Sequence, residues 1–192
     1  ECHDVPDPEE KRAFGVAGIT VVLTLLAVWA YIQAFKIALI PVVCSIVAVI
    51  WQVGLLVFLG YGVDPLGILV PFIIFAIGVS HGVQKISAVK DAALAGDDSL
   101  TAAKRTFRQL FVPAIVALLA DLVGFITILF IPVQVIREMA ITASLGVGIV
   151  ILTDLVLLPV LVSYESYGRG YRERIESRQV HFHRLWERLS II

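Results

Sequence analysis

The sequence has little charge and little cysteine for its length. Asp, Glu, Lys and Arg make up 16% of the 192 residues, whereas soluble domains carry about 25%. The two cysteines, Cys2 and Cys44, lie far apart, and Cys44 falls inside an apolar stretch. A disulfide framework is therefore excluded, and no grouping of His, Cys and carboxylate residues has the spacing of a metal site.

The motifs of soluble enzymes are lacking as well. There is no Gly-rich nucleotide loop and no plausible Ser-His-Asp set, and His181 and His183 stand in an arginine-rich tail where side chains are typically solvated. The chain begins without Met and without the basic-then-apolar layout of a signal peptide, which favours a piece of a longer chain. We predict no enzymatic activity, no cofactor and no nucleic-acid partner.

Apolar residues, in contrast, are abundant. They make up 59% of the sequence, and the mean hydropathy is +0.93. A bilayer core of about 30 Å is crossed by about 20 apolar residues in a helix. We therefore predict an all-α polytopic membrane bundle of five transmembrane helices, at about residues 13–35, 37–60, 66–89, 111–131 and 139–162.

The connecting segments predict the remaining organisation. Residues 1–12 would be the end of an external segment, and the Gly-Val-Asp-Pro run around Asp64 predicts a tight turn. Residues 99–110, capped by Asp98 or Ser99, predict an amphipathic helix at the headgroups. Residues 164–192 predict a basic amphipathic tail that also follows the membrane surface.

The distribution of basic residues predicts the orientation. With the N-terminus outside, the outer segments hold three of the 15 Lys and Arg residues, which are Lys11, Arg12 and Arg137. The others fall in inner segments, which agrees with the positive-inside rule. We expect an external N-terminus and a cytoplasmic C-terminus.

Three ionisable side chains, His81, Asp121 and Asp154, stand inside predicted spans. Ionisable groups at such depth cost free energy and usually serve a function, so they favour coupled transport. The alternatives are a packed histidine for His81, a permanently protonated carboxyl for Asp121 and a helix-to-helix hydrogen bond for Asp154. Lys85, one turn beyond His81, is expected to extend to the headgroups.

Three stretches, taken in order, resemble the transmembrane half of an RND-superfamily exporter. Residues 41–64 (PVVCSIVAVIWQVGLLVFLGYGVD) resemble the third helix of that family and its exit turn. Residues 75–84 (FAIGVSHGVQ) resemble the fourth, and residues 121–164 (DLVGFITILFIPVQVIREMAITASLGVGIVILTDLVLLPVLVSY) the fifth and sixth. The nearest branch is the bacterial hydrophobe exporters related to the mycobacterial large membrane proteins and, more distantly, the Patched-type proteins.

The resemblance implies a place in a larger protein. Such exporters contain two repeats of six helices, each with an external domain between its first two helices. This chain would supply helices two to six of one repeat, with the first repeat favoured, in a bacterial cytoplasmic (inner) membrane. Its implied partners are membrane lipids, hydrophobic or amphiphilic cargo, protons, and the second transmembrane repeat and external domain of the same parent chain.

The resemblance also marks a proton site. Where many family members have Gly-x-Asp-Tyr, this sequence has Ser80-His81. A histidine titrates at about pH 6.5. It is neutral without the proton and positive with it, whereas a carboxylate is negative without the proton and neutral with it. The proton-relay candidates are Ser80, His81, Asp121 and Asp154, and the flanking Gly78 and Gly82 would let another helix approach.

These observations predict the transmembrane half-domain of a proton-driven exporter of hydrophobic or amphiphilic molecules, such as lipids or drugs. The alternative is a sterol-sensing-like domain that binds lipid and regulates, because five consecutive spans also match that unit. A sensor would depend on lipid and not on a proton gradient. A third reading is a structural half-domain that is inert when isolated from its second repeat.

Overall fold

The computed structural model describes residues 8–32, 34–60 and 67–164. The described part consists of helices joined by short turns and contains no strand. Three predicted segments lie outside the described residues: the turn around Asp64, the basic tail after Tyr164, and the part of the external segment before Pro8. The remainder of that external segment, residues 8–12, forms the start of α1.

The described residues contain five helices long and apolar enough to span a membrane, as the sequence predicted. The first four are α1 (Pro8–Ile32), α2 (Phe35–Phe58), α3 (Leu69–Leu94) and α4 (Ser99–Ile128). The fifth consists of α5 (Gln134–Leu152), a π-helical segment (Thr153–Leu157) and α6 (Leu158–Tyr164) in uninterrupted succession. The all-α membrane-bundle prediction is confirmed.

α3 lies at the centre of the bundle. It packs most extensively against α2, and it also contacts α4 and α5. α1 packs mainly on α2, and α4 packs on α3, α5 and α6. In the apolar spans of α1 and α4 only 11% of residues are buried, against 39–44% in the other three, so α1 and α4 form the periphery and present apolar side chains outward.

Small residues allow the close contact between α2 and α3. A Cβ atom on Gly82 would lie 2.7 Å from Cβ of Pro41, and one on Gly78 would lie 2.7 Å from Oγ of Ser45. The Ser45 hydroxyl donates a hydrogen bond of 2.8 Å to the Pro41 carbonyl. The predicted packing glycines therefore lie directly against the neighbouring helix.

One prediction requires correction. Residues 99–110 were predicted as a surface helix separate from the fourth span, but the structure has one continuous helix from Ser99 to Ile128. Ala102, Ala103 and Thr106 are buried, so one face of these first turns packs against the bundle, whereas Lys104 and Arg108 stay exposed. A change from polar to apolar composition does not by itself end a helix, and Pro113, which lacks an N–H, lies inside α4 without ending it.

Candidate functional site

Lys85 of α3 and Asp154 of the π-helical segment form a buried ion pair. Lys85 Nζ lies 3.3 Å from Asp154 Oδ2, and the two side chains are only 9% and 1% exposed. The same Nζ donates a 2.8 Å hydrogen bond to the backbone carbonyl of Asp154. The expectation that Lys85 extends to the headgroups is therefore wrong, because an intramembrane partner holds its ammonium group inside the bundle.

The Asp154 carbonyl lacks a backbone hydrogen-bond donor, and Lys85 replaces it. In the π-helical segment, the Leu158 N–H donates to the Thr153 carbonyl five residues earlier. The donor that would serve the Asp154 carbonyl in the same pattern belongs to residue 159, which is proline and has no N–H. The backbone thus leaves this carbonyl open, and the Lys85 ammonium group satisfies it. Single π-helical turns of this kind are frequent at functional sites.

His81 and Asp121 form a second contact between α3 and α4. His81 Nε2 lies 3.7 Å from Asp121 Oδ2, with side-chain exposures of 14% and 41%. This distance exceeds a direct hydrogen bond but permits charge attraction. His81 and Lys85 are one helical turn apart on the same face of α3, so α3 presents two basic groups to carboxylates on two different neighbours.

The remaining candidates lie at the edges of this site. Ser80 is exposed, and among the described residues it makes no side-chain hydrogen bond. Gly78 and Gly82 lie on the α2-facing side of α3, and Gly82 also approaches Leu158, directly after the π-helical segment. His81 contacts Asp121, and Lys85 one turn further along α3 pairs with Asp154, so three of the predicted relay residues are gathered around α3 together with Lys85.

Two buried oxygen atoms among the described side chains have no hydrogen-bond partner. They are Oδ2 of Asp154 and Oε1 of Gln52. Gln52 of α2 donates a 3.3 Å hydrogen bond to the Thr142 carbonyl of α5, so it joins two central helices. Oδ2 of Asp154 is nevertheless not without a counter-charge, because Lys85 Nζ lies 3.3 Å away, so the ion pair compensates the burial of this carboxylate.

A small cavity of about 20 Å³ adjoins Lys85, which is enough for about one water molecule. Thr106, Phe107 and Phe111 of α4 line it on one side, and Leu155 and Leu158 on the other. The Phe107 and Phe111 rings contact each other, with centroids 5.1 Å apart. The side chains that line this cavity beside Lys85 are therefore mostly apolar.

The arrangement brings titratable side chains together inside the bundle. Among the residues that the structure describes, no three His, Cys, Asp or Glu side chains are close enough to hold a metal ion. What it offers is a carboxylate inside an apolar bundle, one lysine as its counter-ion and one histidine nearby. A proton gained or lost at any of these groups changes the net charge buried between α3 and the fifth span.

The sequence analysis selected His81, Asp121 and Asp154 as candidates but not Lys85. Lys85 was set aside because lysines near helix ends commonly extend to the surface. One signal could have identified it: its position one turn after His81, on the same face of α3.

The chain matches the family model described as "Sterol-sensing domain of SREBP cleavage-activation" over residues 32–177. It is also 24% identical over 162 residues to the multidrug resistance protein MdtC of Yersinia pseudotuberculosis, and 24% identical over 163 residues to MdtC of Citrobacter koseri. These alignments cover 82% and 83% of this chain. No solved structure matches the chain significantly.

The chain spans only 16% of the length of these curated relatives. Within that portion, the predicted resemblance to the RND superfamily is confirmed, with the sterol-sensing family model and the MdtC similarity covering largely the same helices.

Proposed function

The chain belongs to the sterol-sensing domain family, and we propose that it serves as the transmembrane half-domain of a proton-driven exporter of hydrophobic or amphiphilic molecules. The similarity to MdtC supports the exporter class. The proposal places the domain in a bacterial cytoplasmic membrane, with the N-terminus outside and the basic tail inside. The predicted partners are protons, membrane lipids, cargo, a second transmembrane repeat and an external domain.

The observation that carries the proposal is the buried Lys85–Asp154 pair. Exchanging a buried ion pair for apolar residues is often neutral or stabilising, so such a pair inside a membrane span is poorly explained by stability alone. Its position at a π-helical turn supports the same conclusion, because the irregular backbone leaves an open carbonyl at the residue that bears the carboxylate.

The proposed cycle follows from the change in buried net charge when Asp154 gains or loses a proton. With Asp154 ionised, its charge and that of Lys85 cancel, and α3 is held against the fifth span. A proton added to Asp154 leaves the Lys85 charge buried without compensation, which is unfavourable. The favourable response is a separation or rotation of the two helices that admits water to Lys85. Release of the proton restores the pair and the packed arrangement.

His81 and Asp121 would connect this pair to the rest of the parent protein. Asp121 is 41% exposed on the second half of α4, where Val116, Leu119 and Val123 are also exposed. We infer that this surface faces the second repeat and that His81 passes protons between Asp121 and the Lys85–Asp154 pair. The external domain would then move the cargo.

Gradient dependence tests the proposal. The full-length protein is reconstituted in liposomes that contain a pH-sensitive dye, a pH gradient is imposed, and movement of a lipophilic fluorescent dye is followed. An exporter moves the dye only while the gradient lasts, and protons move with it. Dye movement that persists after a protonophore collapses the gradient would contradict the proposal.

The family match favours a second candidate, a lipid-binding regulatory domain. Such a domain would change conformation with the lipid composition of the membrane and would move no protons. In the same liposomes it would give no proton flux at any lipid composition, while its protease or labelling pattern would depend on the lipid added. The two functions thus give opposite results in one preparation.

A further inference from the structure

A wide groove lies between the first half of α4 and the end of the fifth span, and neither Lys85 nor Asp154 lines it. Its volume is about 1170 Å³, above the roughly 300–1,000 Å³ of typical small-molecule sites. One wall is apolar, with Leu155, Val156, Pro159 and Val160 from the fifth span.

The other wall is basic. Lys104, Arg105 and Arg108 of α4 line the groove together with Thr101 and Gln109. Arg105 is paired with Asp97, at 3.3 Å between Nη1 and Oδ2. Within the described part of the chain, Lys104 and Arg108 have no carboxylate partner, so two positive charges face the groove uncompensated.

We propose that this groove binds an anionic phospholipid of the membrane, with its phosphate at Lys104 and Arg108 and its acyl chains along the apolar wall. Basic residues between transmembrane helices at a membrane surface characteristically hold anionic headgroups. The basic residues begin one turn after the N-terminus of α4, where the helix leaves the aqueous turn at Gly96, so they stand at headgroup level while the apolar wall extends into the bilayer.

Charge complementarity selects this occupant over the tail of the same chain. Residues 165–192 contain six arginines and four glutamates, so the tail carries a net positive charge and would be repelled by Lys104 and Arg108. A zwitterionic lipid would fill the apolar wall but would gain little from the two unpaired cations. The proposal does not depend on proton coupling, since none of the groove's basic residues belongs to the buried pairs.

Photocrosslinking in the full-length protein tests the site. The protein is reconstituted in phosphatidylcholine nanodiscs that contain a trace of phosphatidylglycerol or phosphatidylcholine with a diazirine in its acyl chain, and labelled peptides are identified by mass spectrometry. We expect the phosphatidylglycerol probe to label residues 155–160 preferentially. The Lys104→Gln/Arg108→Gln variant should reduce that preference about thirtyfold, because each basic residue near an anionic lipid contributes on the order of fivefold in affinity.

The matched control is Arg12→Gln/Lys36→Gln, which removes two exposed basic residues outside the groove and should leave the preference unchanged. Equal labelling by both probes, or a preference that survives Lys104→Gln/Arg108→Gln, would overturn the proposal. So would labelling of the groove that appears only after residues 165–192 are removed, because the tail would then be the occupant. Unchanged thermal stability of both variants ensures that lost labelling reflects lost binding.

Discussion

At the scale of single residues, the account depends on how the sequence balances charges inside an apolar bundle. Lys85 neutralises Asp154, and it also replaces a backbone donor that Pro159 cannot supply. His81 and Asp121 form a looser contact at 3.7 Å. The first pair is almost wholly buried and the second is partly open, so the two pairs are expected to respond differently to substitution.

Removal of one partner from the buried pair should destabilise the protein strongly. Lys85→Met and Asp154→Asn are each expected to abolish transport. Lys85→Met should lower the free energy of unfolding by about 3–5 kcal/mol, because it leaves a buried charge unpaired. The double variant should be less destabilised than the sum of the single variants and should still not transport. Chemical unfolding in detergent measures the change in stability, and dye efflux measures transport. The control is Lys36→Met, at an exposed lysine. If the destabilisation of the double variant equals the sum of the two single variants, Lys85 and Asp154 are not coupled.

The His81–Asp121 contact should matter for transport and little for folding. Asp121→Asn keeps the size and hydrogen-bonding capacity of the side chain but cannot ionise, and because Asp121 is 41% exposed its loss should cost little stability. We expect Asp121→Asn and His81→Phe to insert normally and to lose proton-driven efflux. Ser80→Ala, at an exposed neighbour, should remain active. Normal efflux by both Asp121→Asn and His81→Phe would reduce this contact to packing.

At the scale of elements, the helices were predictable, but the irregularity within one of them was not. The five spans follow from apolar length alone, and Gly78 and Gly82 indicated a close helix contact that the structure contains. The π-helical turn leaves no mark on hydropathy, because its residues are as apolar as those around it. It depends on Pro159 and on a donor from another helix, which is tertiary information. Local composition likewise does not reveal that residues 99–110 continue into the fourth span, so the prediction divided α4 into two helices.

The π-helical turn should depend on Pro159. Pro159→Ala restores an N–H in the helix interior, where proline costs about 3 kcal/mol or more, so the fold should be retained or stabilised. The Asp154 carbonyl then gains a backbone donor and loosens its hold on Lys85, and transport should fall. The control is Pro113→Ala, at a proline in the interior of α4, which should leave transport intact. Equal activity of the two variants would show that the turn has no role in the cycle.

The contact of α3 with α2 should tolerate no side chain at Gly82. Gly82→Ala places Cβ 2.7 Å from Pro41 Cβ, a rigid neighbour, and overpacking of this kind costs about 1–3 kcal/mol. Gly148→Ala meets no atom within 4 Å and should be neutral or stabilising by about 0.5–1 kcal/mol. Thermal unfolding in detergent distinguishes them; equal stability would contradict the close contact.

At the scale of the whole molecule, orientation stays a prediction from charge. Lys85 is buried and no longer counts toward the cytoplasmic excess, but the remaining basic residues still favour an inner tail. Ala95→Cys, in the exposed turn before α4, should react inside, and Pro132→Cys, in the exposed turn before α5, should react outside. Labelling of intact cells with an impermeant thiol reagent, in a background without Cys2 and Cys44, measures this. Outside labelling of Ala95→Cys would reverse the topology.

The central claim is that protonation of Asp154 couples the membrane gradient to transport. Its most direct test compares wild-type and Asp154→Asn full-length proteins in liposomes under an imposed pH gradient, with internal pH and dye movement recorded together. We predict linked proton and dye movement for the wild-type protein, and neither for an Asp154→Asn protein that elutes and unfolds as a folded species. Gradient-driven dye movement at the wild-type rate by Asp154→Asn would contradict the account.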